Sequence, residues 1–349
     1  MRNKLLVALG VVLAVALAAW AAVVLPGNVG APTASPSAAP SATPTPTPTP
    51  VEYAPLTGYR VPVGSLDRPV LMAKIDNNPE ARPQVGLNQA DIVFEELVEG
   101  GLSRYVAIWH STIPTEIGPI RSIRPMDPDI ASPFRGLIAY SGGQQRFVQM
   151  MVATKVRNII HGQAGTEKFI YRSDDMIAPH NVIVRARKLI AKQSKLRPPA
   201  QAFRFALAAE TPSAVAFGKP AKRLVASFSS ENTPSWIYNA STGKYERFQA
   251  DGSRDVDYQK VQLVADNVIA QLVGESSEYG YVPRALVVGS GVAWISSRGK
   301  TVKATWTKRN RNAMTVYTLA SGDEVVLARG RTWVELIPTT SGYFKTKRR

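Results

Sequence analysis

The chain contains no cysteine. That excludes disulfides, thiolate metal centres, thiol catalysis and the acylated cysteine of a bacterial lipoprotein. Histidine is scarce, three in 349 residues, which leaves few ligands for a zinc site. Acids are also few: 26 Asp and Glu stand against 42 Lys and Arg, a formal charge of +16, and none precedes Glu52. Charged residues make up 19% of the chain against roughly 25% in ordinary soluble proteins, while hydrophobic residues reach 45%. Wholesale disorder is thereby excluded, and a sizeable core can be built. The length accommodates two domains of ordinary size.

What is present begins with one apolar run. From Leu5 to Leu25 no charged residue interrupts it, and a helix of that length spans roughly 31 Å at about 1.5 Å per residue, one bilayer crossing. Arg2 and Lys4 precede the run, so the positive-inside rule holds the N-terminus in the cytoplasm and sends the rest outside. Residues 1–25 are predicted to be a single-pass anchor in the cell membrane. Ala19-Trp20-Ala21 offers a signal-peptide cleavage alternative, and both readings export the bulk of the chain. Residues 26–54 follow as a disordered spacer. Eight prolines between Pro26 and Pro50, ending in four Thr-Pro pairs, favour an extended polyproline II rod over any packed structure.

Beyond the spacer, short apolar runs are punctuated by Gly, Pro and Asn. Pro69 to Ile75 predicts a strand that stops at Asp76-Asn77-Asn78-Pro79. Asp91–Glu99 and Leu102–Trp109 predict two antiparallel strands joined at Gly100-Gly101, with a helix over 90–99 as the alternative. Gly136 to Tyr140 predicts another strand, followed by Ser141-Gly142-Gly143 and a helix from Gln144 to about Val156. Pro198, Pro199, Pro212 and Pro220 mark a junction. After it come short runs of strand character, among them Leu224–Phe228, Ser235–Tyr238, Tyr245–Phe248, Asn267–Val273, Gly291–Ile295, Val302–Trp306 and Thr332–Leu336. The expected class is α+β: a mixed α/β first domain over 55–196, a linker over 197–222, a mostly β second domain over 223–340 and a basic tail over 341–349.

At this point the sequence resembles a known family. Pro55-Leu56-Thr57-Gly58, Ala81-Arg82-Pro83-Gln84-x-Gly86-Leu87, Ala90-Asp91-Ile92-Val93-x-Glu95, Glu99-Gly100-Gly101-x-x-Arg104 and Gly118-Pro119-x-Arg121-Ser122-x-Arg124-Pro125 resemble the first domain of YerB-like bacterial proteins. Ala178-Pro179-His180-Asn181, Trp236-x-Tyr238, Tyr245-x-Arg247, Asp266-Asn267-Val268-Ile269 and Gly330-Arg331-Thr332-Trp333-Val334 extend the resemblance to about residue 338. It implies an exported, membrane-tethered envelope protein of two adjoining domains of unknown function. It supplies no reaction and no cofactor. Without the acylated cysteine, the tether here would be the N-terminal helix.

The densest polar constellation runs from Asp91 to Arg135. Arg121 and Arg124 lie in a segment constrained by Gly118, Pro119 and Pro125, and guanidinium forks match phosphate or carboxylate in bidentate fashion. With Arg104, the glycine turn Ser141-Gly142-Gly143 and His180, they form the candidate anion site, and pairing with nearby acids is the plainer alternative. The turn carries neither a dinucleotide fingerprint nor a Walker lysine. On the strand reading, Asp91, Glu95 and Glu99 share a face while Glu96 lies opposite. Asp91, Glu95 and Asp127 are accordingly the weaker candidate set, for Mg²⁺. Trp236, Tyr238, Tyr245, Arg247, Trp294, Trp306 and Trp333 suggest a basic aromatic surface, and Lys345 to Arg349 a basic end.

Export turns such a positive chain away from nucleic acid and toward anionic wall polymers or an envelope protein partner. Two functions follow. One is a tethered, non-enzymatic binder that needs no cofactor; the other is a Mg²⁺-dependent enzyme acting on phosphorylated envelope lipids or wall polymers.

Overall fold

A computed structural model describes residues 50–348 apart from Ala208. The predicted membrane helix and most of the spacer lie outside these residues. Among the described residues no helix is long and apolar enough to cross a membrane.

The strands that matter here are β1 (Leu71–Asp76), β2 (Ile92–Leu97), β3 (Ser103–Trp109), β4 (Leu137–Tyr140), β5 (Arg157–Ile160), β6 (Arg223–Ser227), β7 (Ser235–Asn239), β8 (Lys244–Phe248), β9 (Asn267–Tyr279), β10 (Gly289–Ser297), β11 (Lys300–Lys308), β12 (Thr332–Pro338) and β13 (Tyr343–Lys347). Two short helices, α1 (Asp127–Ala131) and α2 (Gln145–Val152), accompany the first strands. The chain is mostly β, 41% strand against 11% helix, so helices are fewer than an α+β reading suggests.

One sheet runs through both halves of the sequence in the order β11-β10-β9-β12-β2-β3-β1-β4-β5. Its seam is the parallel pairing of β2 with β12, Ile92 opposite Thr332 through Glu96 opposite Leu336. A second sheet, β8-β7-β6-β13, packs on one of its faces. The end of the chain is thus a strand, with Lys345 opposite Val225 and Lys347 opposite Arg223. The 197–222 segment contributes Phe203 and Phe205 to the core.

Alternation along the strands explains why the central sheet is buried on both sides. Leu71, Ala73 and Ile75 of β1 face the second sheet with Tyr105, Trp236 and Trp333; Met72 points the other way, toward Phe147 and Met151 of α2. Phe147 and Met151 are four apart, one face of a helix, and burying each such side chain contributes about 1.5–3 kcal/mol. The β2–β3 hairpin forms as its sequence predicts, with Gly100 at φ 70° in the left-handed region that glycine tolerates. β2 ends at Leu97, so Glu99 leaves the alternation and sits in the turn.

Candidate functional site

β1, β4 and β5 are mutually parallel, so their carboxyl ends share one edge of the sheet. In open parallel sheets this edge is where ligand-binding loops collect. The segment from Gly118 to Arg124 is laced across it by backbone hydrogen bonds: Asp76 N–H to Pro119 O (2.9 Å), Arg121 N–H to Lys74 O (2.8 Å), Ser141 N–H to Arg121 O (3.0 Å) and Ile123 N–H to Gly142 O (3.0 Å). Proline and glycine let the segment follow this path. The sequence-predicted anion residues therefore do come together, around two strand ends and one loop.

Asp76 is the hub, and sequence reading missed it. Its Oδ2 takes an ion pair from Arg121 Nε at 3.0 Å and lies 2.7 Å from His180 Nδ1, while His180 Nε2 is 3.3 Å from Glu80. The Arg121 N–H does not point at the oxygen, so that contact is electrostatic and leaves the donor underused. Both nitrogens of His180 are held by carboxylates, which suits an orienting group better than a free base. The missed signal was a carboxylate closing an apolar strand at Asp76.

Arg124 Nε donates to Glu99 at 2.8 Å, and its Nη1 reaches the Ser122 and Ile123 carbonyls. Burial opposes ionisation of Glu99, but the Arg124 bond wins and holds the carboxyl below its usual range. Arg104 stands directly across from Asp76 in the β1–β3 register, yet it donates to the Ser122 carbonyl at 2.9 Å and has no carboxylate within ion-pair distance. Burial and then the neighbouring Arg124 push its guanidinium down to about 10, with Arg121 adding to the repulsion. Three arginines thus crowd around two acids. Beside them, Ser141 and Gly142 are half-buried and Gly143 is exposed. Among the described residues no backbone acceptor reaches the Gly142 or Gly143 amides, and no side chain caps the α2 N-terminus.

The candidate metal carboxylates do not converge. Glu95 and Asp127 lie on opposite faces of the sheet, as strand alternation requires of Glu95 and Glu96. Asp91 precedes β2, and its Oδ2 accepts the His110 and Ser111 amides at 2.7 Å each; burial lifts its carboxyl to about 6. Asp127 accepts from Lys74 Nζ at 2.8 Å and from the Arg124 amide, which pins the arginine loop to β1. Glu96 shares that lysine. Burial and the adjacent Asp127 raise its carboxyl to about 8, so the protonated form is favoured at pH 7. Among the described residues no group of three His, Asp or Glu has metal-holding geometry.

Glu95 belongs to a closed interior network. It pairs with Arg247, which also pairs with Asp255, and Trp236 Nε1 donates to Glu335 at 2.6 Å. Rings of Tyr105, Trp236 and Trp333 surround the guanidinium at 5.1–5.8 Å. Burial together with Glu95 drives the Glu335 carboxyl far up. The expected basic aromatic surface is corrected here: Trp236, Tyr245, Trp333 and Arg247 are buried between the two sheets, and Trp306 is buried in the core on the other face of the central sheet.

Fold and site together define a mostly β protein in which a single sheet, shared by both halves of the chain, displays an arginine-rich loop at its parallel strand ends. Residues 56–198 match the N-terminal domain and residues 224–334 the C-terminal domain of a protein of unknown function (DUF3048), and the chain belongs to this family. The motif resemblance holds. "Putative lipoprotein YerB" of Bacillus subtilis (strain 168) is 31% identical over 128 residues, 37% of this chain; the match spans only 38% of that relative. The crystal structure of YerB protein from Bacillus subtilis has the same fold, with a TM-score of 0.72 at 20% identity, covering 84% of this chain and 100% of that one.

Proposed function

We propose that this is an extracytoplasmic, membrane-tethered envelope protein that binds a phosphate-bearing or other anionic envelope component at the loop of Arg104, Arg121 and Arg124. The relative's printed name, a lipoprotein, supports envelope placement, and the tether here is the apolar segment at Leu5–Leu25, since no cysteine exists to acylate. One observation carries the ligand class: Arg104 is a largely buried guanidinium that donates to a carbonyl and has no carboxylate at ion-pair distance, and Asp76 and Glu99 offset only part of what burial and Arg124 cost it. An anion reaching Arg104 would relieve that repulsion and could accept from the neighbouring Gly142 and Gly143 amides. Such charge-assisted bonds are about twice as strong as neutral ones.

The test uses the purified full-length chain and glycerol phosphate as probe, followed by calorimetry. Arg104→Gln is expected to weaken binding about tenfold with a reduced salt dependence. Equal affinity of wild type and variant would remove the reading. A reporter fused behind Arg349 is expected to be active only outside the cell; activity confined to the cytoplasm would contradict export. The Mg²⁺-enzyme alternative draws no support from carboxylates that face opposite sides of the sheet.

A further inference from the structure

The opposite edge of the sheet, at the amino ends of β4 and β5, has a different charge balance. A cleft of about 730 Å³ opens there. Arg135 and Lys155 stand on one wall, just ahead of β4 and β5; Lys195 and Arg197 stand on the other, stiffened by Pro198 and Pro199. No carboxylate lines the cleft. All four cations are exposed, and among the described residues none makes an ion pair. Arg121, Arg124, Arg204, Arg284 and Arg311, by contrast, each meet an acid. A concave surface lined by one sign of charge focuses the field and gathers counter-ions.

The backbone supplies an independent observation. Arg135 has φ 57° in the left-handed region, where a non-glycine residue costs about 1–2 kcal/mol. Its neighbour Gly136, φ 60°, has to be glycine, because a Cβ there would meet the Val70 carbonyl at 2.6 Å. At position 135 glycine would be the comfortable choice as well. The chain keeps instead a long cation, exposed on the cleft wall, whose side chain makes no hydrogen bond among the described residues. A strained residue with no structural partner is a signature of function.

We infer that this cleft binds a linear polyanion of repeating phosphates, separately from the arginine loop. Four exposed, unpaired cations on two walls suit a repeating polyanion better than one small ligand fixed by converging donors. The choice of a wall polymer as its source rests on the export argued above; the cleft does not.

Linear polyphosphate is the probe, titrated into the full-length chain at low and high salt, with thermal midpoints measured in parallel. Arg135→Gly is expected to weaken polyphosphate binding about tenfold while the midpoint stays level or rises, because the strain is released. Lys195→Glu combined with Arg197→Glu is expected to weaken it by at least as much, and neither change should alter glycerol phosphate binding at the arginine loop. Unchanged polyphosphate affinity in both variants overturns the cleft and leaves the loop reading intact. A fall in midpoint with Arg135→Gly overturns it too, since the side chain would then be structural. Binding to phosphatidylglycerol vesicles through these residues, with polyphosphate ignored, would replace the polymer by a membrane surface and equally defeat the inference.

Discussion

Arg247 and Arg104 make an instructive pair. Arg104 sits on a strand of the central sheet and Arg247 on a strand of the second, and each is largely withdrawn from water. Arg247 is enclosed by Glu95, Asp255 and three aromatic rings, and the surrounding acids raise its affinity for the proton far above normal. Arg104 meets a backbone carbonyl and two other guanidiniums, and is pushed the opposite way. The residue type is identical. What separates the two is whether a carboxylate in direct contact is already built in.

Mutations can break this contrast. The largest effect is expected from Arg247→Met, which strands two carboxylates in the interior; a loss of about 3–5 kcal/mol in denaturant unfolding is expected, and a loss below about 1 kcal/mol would show the network to be dispensable. Next comes pH. Glu96 has a folded value of about 8 against 4.5 unfolded, so its contribution is complete below pH 4.5 and is lost as pH rises through 8. Wild-type stability should therefore decline over that window by on the order of 2 kcal/mol or more, and Glu96→Gln, which mimics the protonated acid, should flatten the decline. An unaltered slope in that variant would assign the titration elsewhere. A smaller effect is expected from Arg104→Gln, whose stability should shift by less than about 1 kcal/mol although its ligand affinity falls. The smallest belongs to Lys345→Gln with Lys347→Gln on the edge strand β13, within about 0.5 kcal/mol in unfolding; a larger change would mean the edge holds the second sheet through these side chains.

Much of this architecture was legible locally. The run before Asp76, the hairpin around Gly100-Gly101, the strand–glycine–helix passage at Tyr140–Gly143 and most strands after Leu224 follow from alternation and turn residues alone. Arg104, Arg121, Arg124, Ser141 and His180 each stood out by residue type and local constraint, but their nearness to one another did not. Long-range pairing was not legible, because a strand's period says that it needs a neighbour without saying which; nothing in Ile92–Leu97 names Thr332–Pro338. The fate of Arg247 was hidden for a related reason. It shares a face with Tyr245, a hint of burial, but the acids that neutralise it come from Glu95 and Asp255, one of them far away in sequence.

The parallel joining of β2 to β12 has a consequence in time. A chain made from its amino end must expose the β2 edge, with its open N–H and C=O groups, until nearly all of the polypeptide has appeared. That edge of the first half stays unpaired until then, and a product cut short before Thr332 would carry an open template for sticking to other chains.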